Sequence, residues 1–311
     1  MFAGEPFGPK RLSSAGLKWL RRILGIAAMF LLVRSLYDGM AQVQDQVVIS
    51  ARDAMLAVVV SGISAFCLGK AWATLVSDLA VDRTRATEDF LLSIPAKYLP
   101  GGFFQQLSLI DRTVRASPRT TVSSAITAAV IHGLVGGIAA ALLGSAVSLR
   151  SSLPLYARML AGLGLLTPLL LTSQAEGLLR SVLSVRGTGR LADLSIPSVR
   201  RRFEALSWGI PGVAGSAASF VLLAHDSLDD PIWLVGSGFA SAFLIGYVAL
   251  PFPAGLGVRE VSLAALFGAT ALPVLTAISL THRLTATLAE MLSFLGAHAA
   301  RTLRSQARGK R

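Results

Sequence analysis

With one cysteine in 311 residues, Cys67, the chain has no partner for an intrachain disulfide and cannot build a thiolate metal cluster. Histidine is nearly as scarce: His132, His225, His282 and His298 fall at no ligand-like spacing, and no carboxylate pair joins them. Neither a zinc nor an iron centre is therefore expected, and no cofactor is assigned. No Walker-type G-x-x-x-x-G-K-[ST] sequence occurs, so the phosphate cradle of a nucleotide-driven machine is missing. Charge is thin as well. Asp, Glu, Lys and Arg make up 15% of the chain against 53% hydrophobic residues, far from the profile of a soluble protein of this length. The longest polar connection, Glu176 to Glu204, is too short to fold a catalytic core of its own.

What fills the chain instead is long apolar runs. Thr120 to Leu149 is 30 residues without a formal charge and Ala205 to Ala224 is 20, at or beyond the roughly 20 that a helix needs to cross about 30 Å of hydrocarbon. Met159 to Ala175 and Pro231 to Leu250 are similar. Leu17 to Tyr37 and Ala54 to Leu75 are interrupted by Arg34 and Lys70, and Val261 to Ala300 carries His282, Arg283 and Glu290. Basic residues followed by Ile23 to Val33 mimic a secretory signal, but no small-residue cleavage site follows, so an uncleaved first span is expected. The fold class is an all-α polytopic membrane protein of seven or eight crossings. Its expected organisation is a basic cytoplasmic N-terminus (1–16), a single membrane domain (17–300) and a basic tail (301–311).

Net charge is +12, and 16 of the 29 basic residues fall in three places: Lys10 to Arg22, Arg180 to Arg202, and Arg301 to Arg311. These clusters flank apolar spans and form no separate basic domain. They read as a positive-inside signal and not as a nucleic-acid surface. Both ends are accordingly expected in the cytoplasm, with the acidic Asp226 to Asp230 loop outside.

Two stretches break the helical pattern. Pro231 to Val258 is 28 residues free of Asp, Glu, Lys and Arg, contains Pro251, Pro253, Gly255 and Gly257, and is followed by the opposite charges of Arg259 and Glu260. Earlier, Ile94 to Gly102 carries Pro95, Lys97, Pro100, Gly101 and Gly102. Prolines and glycines at membrane depth release backbone groups that lipid cannot satisfy, so such breaks survive where they line a cavity or meet protein. Pro100 and Pro253 are 153 positions apart, almost half the chain. Paired breaks in corresponding halves are what an internal repeat with a substrate site between its halves would produce. For topology, Leu91 to Ile110 must dip in and return to the same side. Around Pro251 to Thr270, a second re-entrant would put the tail outside and a short full crossing would bring it inside.

The residues at these breaks suggest their chemistry. Arg259 and Glu260 precede a run that can be helical, which puts them in a first helical turn, where unpaired amides and the helix dipole join an arginine in favouring phosphate. Arg259 is the first choice as headgroup ligand. Glu260 has three candidate partners: Arg259, Arg283 or a cationic headgroup. The competing reading is a structural ion pair that orients the broken helix. Lys97 either holds a second phosphate oxygen or snorkels to the interface beside Tyr98. Arg283 and Glu290 are seven residues apart, two turns, so they share one inward face and each needs a partner across the bundle. His282 and His132 read as hydrogen-bonded structural histidines. Gly133 with Gly137, and Gly212 with Gly215 and Ser216, read as close helix packing.

Lys97-Tyr98-Leu99-Pro100-Gly101-Gly102 and Gly255-Leu256-Gly257-Val258-Arg259-Glu260, with Trp72 and Arg283, resemble the transmembrane region of the lysylphosphatidylglycerol synthases, a flippase-like membrane family. The likeness spans roughly residues 20 to 300. It implies a lipid-handling protein of the cytoplasmic membrane with re-entrant segments, whose related domain moves a phospholipid between leaflets. Full-length synthases add a soluble aminoacyl-transferase domain that this sequence does not show. The stand-alone form is therefore expected, and lysyl transfer is not carried over. Relatives of that form are linked to hopanoid-like and polyprenyl-linked lipids, among other classes.

The leading expectation is a carrier and not an enzyme, with membrane lipid as its partner. In it Arg259, Lys97 and Arg283 hold an anionic headgroup between the broken segments. Two others stand beside it: a membrane subunit anchoring a soluble glycosyl- or aminoacyl-transferase, and an intramembrane transferase acting on a lipid phosphate with Glu260 or His282 as base.

Overall fold

In the computed structural model, the described residues are 47, 49–98, 104–150, 152–153, 155–177, 195–248 and 258–309, and every regular element among them is helical. They form α1 (Ala51–Val76), α2 (Arg83–Ser93), α3 (Phe104–Ala116), α4 (Val122–Gly144), α5 (Leu155–Gly162), α6 (Val199–Ala224), α7 (Ile232–Val248), α8 (Val258–Phe267) and α9 (Leu272–Gly309). Three longer 3-10 stretches, Ile94–Tyr98, Ser145–Leu149 and Leu163–Leu171, extend α2, α4 and α5. The first apolar run, Leu17 to Tyr37, lies outside the described residues, as do Pro100, Gly101, Gly102, Pro253, Gly255 and Gly257.

Among the described residues, three segments are long and apolar enough to span a membrane: Ala51–Leu79, Val122–Leu149 and Val199–Ala224. Arg158–Leu171 and Ile232–Tyr247 are shorter apolar helices. The side chains these helices present outwards fit that setting. Met55, Val59 and Ile63 recur every four residues along α1, and Leu284, Leu288, Leu292 and Leu295 along α9, all 43–65% exposed. In water such stripes would promote association, whereas lipid tails solvate them.

Helix starts follow capping chemistry. Ser50 caps α1 by accepting from the Asp53 amide, Asp82 caps α2 through Thr84, and Ser198 caps α6 through Arg201. Thr121 and Ser124 form a reciprocal capping box at α4.

Small residues let the central helices approach closely. Ser61 donates to Ser219 (2.9 Å), Ser219 to the Ala57 carbonyl (3.1 Å), and Ser64 to the Gly212 carbonyl (2.5 Å). A Cβ on Gly212 would lie 2.8 Å from Leu68 Cδ2, and one on Gly215 3.1 Å from Ser64 Cβ, so the α1–α6 seam requires those glycines. Gly133 and Gly137 serve the α4–α7 seam, facing Tyr247 and Leu244.

Ion pairs mark the two ends of the bundle. At one end Arg201 reaches Asp78 (3.1 Å), Arg83 reaches Glu204 (2.9 Å), and Arg301 reaches Asp89 (2.9 Å). At the other, Asp53, His225 and Asp226 come within 4.8 Å of one another, and Arg150 pairs with Asp230 at 3.1 Å. Helices α1, α7 and α9 therefore run from the Asp-rich end towards the Arg-rich end, and α4 and α6 run the opposite way. Fully buried Arg202 ties α6 to the preceding segment through the Thr172 carbonyl and Glu176.

Helix α8 turns back. Gly246, near the end of α7, meets Arg259, and Gly238, near its start, meets Phe267, so α7 and α8 are antiparallel. Phe267 lies under Arg150 at the Asp-rich end. Helix α9 starts there and continues unbroken past Ala300 to Gly309, so the tail expected from Arg301 begins as helix.

Candidate functional site

The inner face of α9 organises the site. Ser279, Arg283, Thr287 and Glu290 succeed one another at spacings of four, four and three, which places them on one side of the helix, opposite the leucine stripe. Arg283 Nη2 donates to Glu260 Oε1 of α8 at 3.1 Å, and Ser279 Oγ donates to the same oxygen at 2.6 Å. Both charged side chains are nearly covered, with Arg283 11% and Glu260 7% exposed. Of the three partners open to Glu260, the structure selects Arg283.

One and two turns further along, Glu290 accepts from Lys97 Nζ through Oε1 and from the Tyr98 hydroxyl through Oε2 at 2.6 Å. Tyr98 has one hydrogen to give, and the carboxylate is the stronger acceptor, so its 2.9 Å approach to Thr287 Oγ1 is the alternative. Thr287 donates to the Arg283 carbonyl at 2.7 Å. The 3-10 stretch Ile94–Tyr98 and helix α8, far apart in sequence, thus meet on neighbouring turns of one helix. Lys97 is held in an ion pair and also lies 5.1 Å from the Tyr98 ring centre.

Arg259 has different surroundings. It occupies the first turn of α8, where Glu260 supplies the acidic residue that a helix N-terminus favours. Its guanidinium lies 4.6 Å over the Phe243 ring of α7, and its Nε is buried with no hydrogen-bond partner among the described residues. Its stem presses on Gly246, where a Cβ would stand 2.8 Å from Arg259 Cγ, so glycine at 246 makes room for the arginine. Among the described residues no carboxylate pairs with Arg259; the adjacent Glu260 is directed to Arg283. The side chain as a whole is half-buried, so its charge is only partly desolvated, and an arginine on an aromatic face at such a site gains about 0.5–2 kcal/mol.

Depth follows from helix geometry. Helix α8 has 10 residues, about 15 Å, and ends at the Asp-rich end. Arg283 is 11 residues into α9 from that same end, about 16 Å. Counted on α8, Glu260 is seven residues from that end, about 10 Å, so both helices put the pair inside the bundle and away from either end.

The two structural histidines are backbone-bonded. His282 Nε2 donates to the Ser216 carbonyl at 3.2 Å, edge-on to Phe239 and Phe220. His132 Nε2 donates to the Leu68 carbonyl at 3.1 Å, between Trp72 and Phe90. The grouping of Asp53, His225 and Asp226 is solvent-accessible at the bundle end and has no link to the buried charges.

Sequence reasoning did not name Phe243, Gly246 or Ser279. Only Ser279 carried a signal, since it stands one turn before Arg283 on the face already identified as inward. No protein-family model matches this chain, and no curated protein matches it. The family resemblance therefore rests on the sequence alone: the two motifs, with Trp72 and Arg283.

Proposed function

We propose that the protein is a lipid carrier of the cytoplasmic membrane, in which Arg259 binds the phosphate of an anionic headgroup and the Glu260–Arg283 pair holds helix α8 in place behind it. The observation that carries this reading is Arg259 itself: a guanidinium in the first turn of a helix, covered by an aromatic ring and unmatched by any carboxylate among the described residues. Helix-terminal amides and arginine together favour phosphate. By the same count Arg259 lies eight residues, about 12 Å, from the Asp-rich end of α8, a depth inside a ~30 Å hydrocarbon layer, where headgroup charge makes crossing costly. A protein that pairs this charge there lowers the barrier directly.

In this reading the Arg-rich end is cytoplasmic, by the positive-inside rule. The chain makes seven or eight crossings, α8 is the short return after the break at Pro251 to Gly257, and the segment around Pro100 re-enters from the cytoplasmic side. Lys97 and Glu290 close the cytoplasmic side of the path. The resemblance to the flippase-like family supports the same assignment, for an anionic or polyprenyl-linked lipid.

The test is reconstitution in liposomes with fluorescent anionic and zwitterionic lipids. Wild type is expected to move the anionic probe between leaflets, and Arg259→Ala to reduce that movement to the level of protein-free vesicles. Equal movement by the two proteins, or none by either, overturns the reading.

A further inference from the structure

A cavity of about 540 Å³ lies between α3, α4, α7 and the Leu163–Leu171 stretch. Its walls are nearly all hydrocarbon, with Ile110, Ile126, Val130, Leu170 and Leu244 prominent and Gln106, Thr167 and Tyr247 the polar side chains. Helical bundles close-pack their interiors, so a space of this size between four elements needs an occupant or a solvent. An apolar cavity is a poor site for water, which needs polar partners. The cavity also opens sideways: Val130, Leu170 and Tyr247 on its rim are 38–44% exposed.

Two stacked rings stand between this cavity and Arg259. The Tyr247 ring stacks on Phe243 at 6.3 Å with 10° between their planes, and Phe243 carries the Arg259 guanidinium at 4.6 Å on α7. Tyr247 also leans across α4, its hydroxyl 2.6 Å from where a Cβ on Gly133 would be, so the glycine leaves room for the aromatic wall between headgroup and cavity.

We propose that this cavity takes one acyl chain of the anionic phospholipid whose phosphate binds Arg259, an inference that rests on the carrier reading above. Volume argues for the occupant. Taking the ~30 Å³ share of a water molecule as a measure, 540 Å³ holds on the order of 18 methylene-sized groups. That is the size of one acyl chain, and well short of two chains or a long polyprenyl tail. The chain leaves the bilayer through the open side while Phe243 and Tyr247 separate it from the polar group. A chain held beside the protein gains little energy, since it leaves one hydrocarbon phase for another. What it gains is orientation, because head and tail are then fixed at two points.

The test uses the full-length protein in phosphatidylcholine vesicles doped with phosphatidylglycerol bearing a photoreactive diazirine midway along an acyl chain, with adducts mapped by mass spectrometry. Labelling of Ile126, Val130 and Leu170 should exceed that of the lipid-facing stripe Met55, Val59 and Ile63 by about tenfold, the ratio that ~1.4 kcal/mol of preference produces. Gly137→Leu, whose side chain enters the cavity, should reduce cavity labelling to the stripe's level. Val130→Phe, filling from the exposed rim, should do the same and stands in where the first variant does not fold. Arg259→Ala should also lower it, because the tether is gone. Cavity labelling no higher than the stripe's, or unchanged by filling, overturns the chain site. If filling has no effect while Arg259→Ala stops lipid movement, the carrier reading stands and the chain site falls. Should filling abolish labelling while Arg259→Ala changes neither labelling nor lipid movement, the coupling of chain to headgroup is overturned, and the carrier reading with it.

Discussion

Asp89 and Glu260 both stand among arginines, and their surroundings differ. Asp89, at the Arg-rich end, is 3% exposed and has Arg301 at 2.9 Å, Arg112 at 3.7 Å and Arg85 at 3.9 Å. Those three arginines are 36%, 33% and 47% exposed, so the positive charge that Asp89 leaves uncompensated reaches water. Glu260, in the middle of the bundle, pairs with an Arg283 that is only 11% exposed, while Arg259 beside it is covered by Phe243. An excess of positive charge at the end of the bundle is screened and tethers helices α2, α3 and α9 together. The same excess in the interior has less solvent to relieve it, and this is the charge that the proposed carrier would offer to a headgroup.

The comparison is tested most severely at the two carboxylates. Glu260→Gln withdraws the negative charge from a buried arginine, and should lower stability by about 3–5 kcal/mol, as removal of one partner of a buried pair does. Asp89→Asn should cost clearly less, since each of its arginines can turn to water. Thermal unfolding of the purified variants in the same detergent measures both. A larger drop for Asp89→Asn would reverse the assignment of tether and site.

Restoring neutrality should then restore the fold. The double variant Glu260→Leu with Arg283→Met replaces the pair by hydrocarbon of similar volume, and such exchanges are often neutral or stabilising. Its unfolding midpoint is expected close to wild type and well above that of Glu260→Gln alone. A double variant as unstable as the single one would mean that Ser279 and the helix terminus, and not the charge pair, hold α8.

Much of this architecture is legible in the sequence, and the remainder fails for identifiable reasons. The uncharged run Thr120 to Leu149 appears as α4 plus a short 3-10 extension. The run from Ala205 begins six residues earlier as helix, because Arg200, Arg201, Arg202 and Glu204 belong to the first two turns, which Ser198 caps and ion pairs compensate. Lys70 interrupts an apolar run in composition only. Its ammonium lies 5.7 Å from the Phe66 ring centre and 5.9 Å from that of Trp208, and α1 continues past it. Pro168 in the run from Met159 is where regular α-helix has already given way to 3-10 geometry. The inward face of α9 follows from a spacing of seven, yet nothing local tells Arg283 to choose Glu260 or Glu290 to choose Lys97, 193 residues away. Periodicity fixes which side of a helix faces in. It does not fix which other helix arrives there.

Arg259→Ala sharpens the contrast in the other direction. The variant removes a cation–π contact of about 0.5–2 kcal/mol but also relieves a half-buried charge with no carboxylate partner among the described residues, so its unfolding midpoint should move less than that of Glu260→Gln. Lipid movement should nevertheless fall to background. A large loss of stability with movement retained would make Arg259 a structural group.

The smallest effect belongs to the tether. Arg301→Ala removes one of three arginines from Asp89, and with 36% of its side chain exposed the ion pair contributes no more than about 0.5–1 kcal/mol. Salt distinguishes it from the interior pair more surely than size. The difference between wild type and Arg301→Ala should shrink as ionic strength rises and the Debye length falls from about 10 Å at 0.1 M towards 3 Å at 1 M. The difference between wild type and Glu260→Gln should persist across the same range, because ions cannot reach a pair from which solvent is already excluded. If both differences fade together, the interior charges are wetter than their burial implies, and Arg259 has water where the carrier reading puts a phosphate.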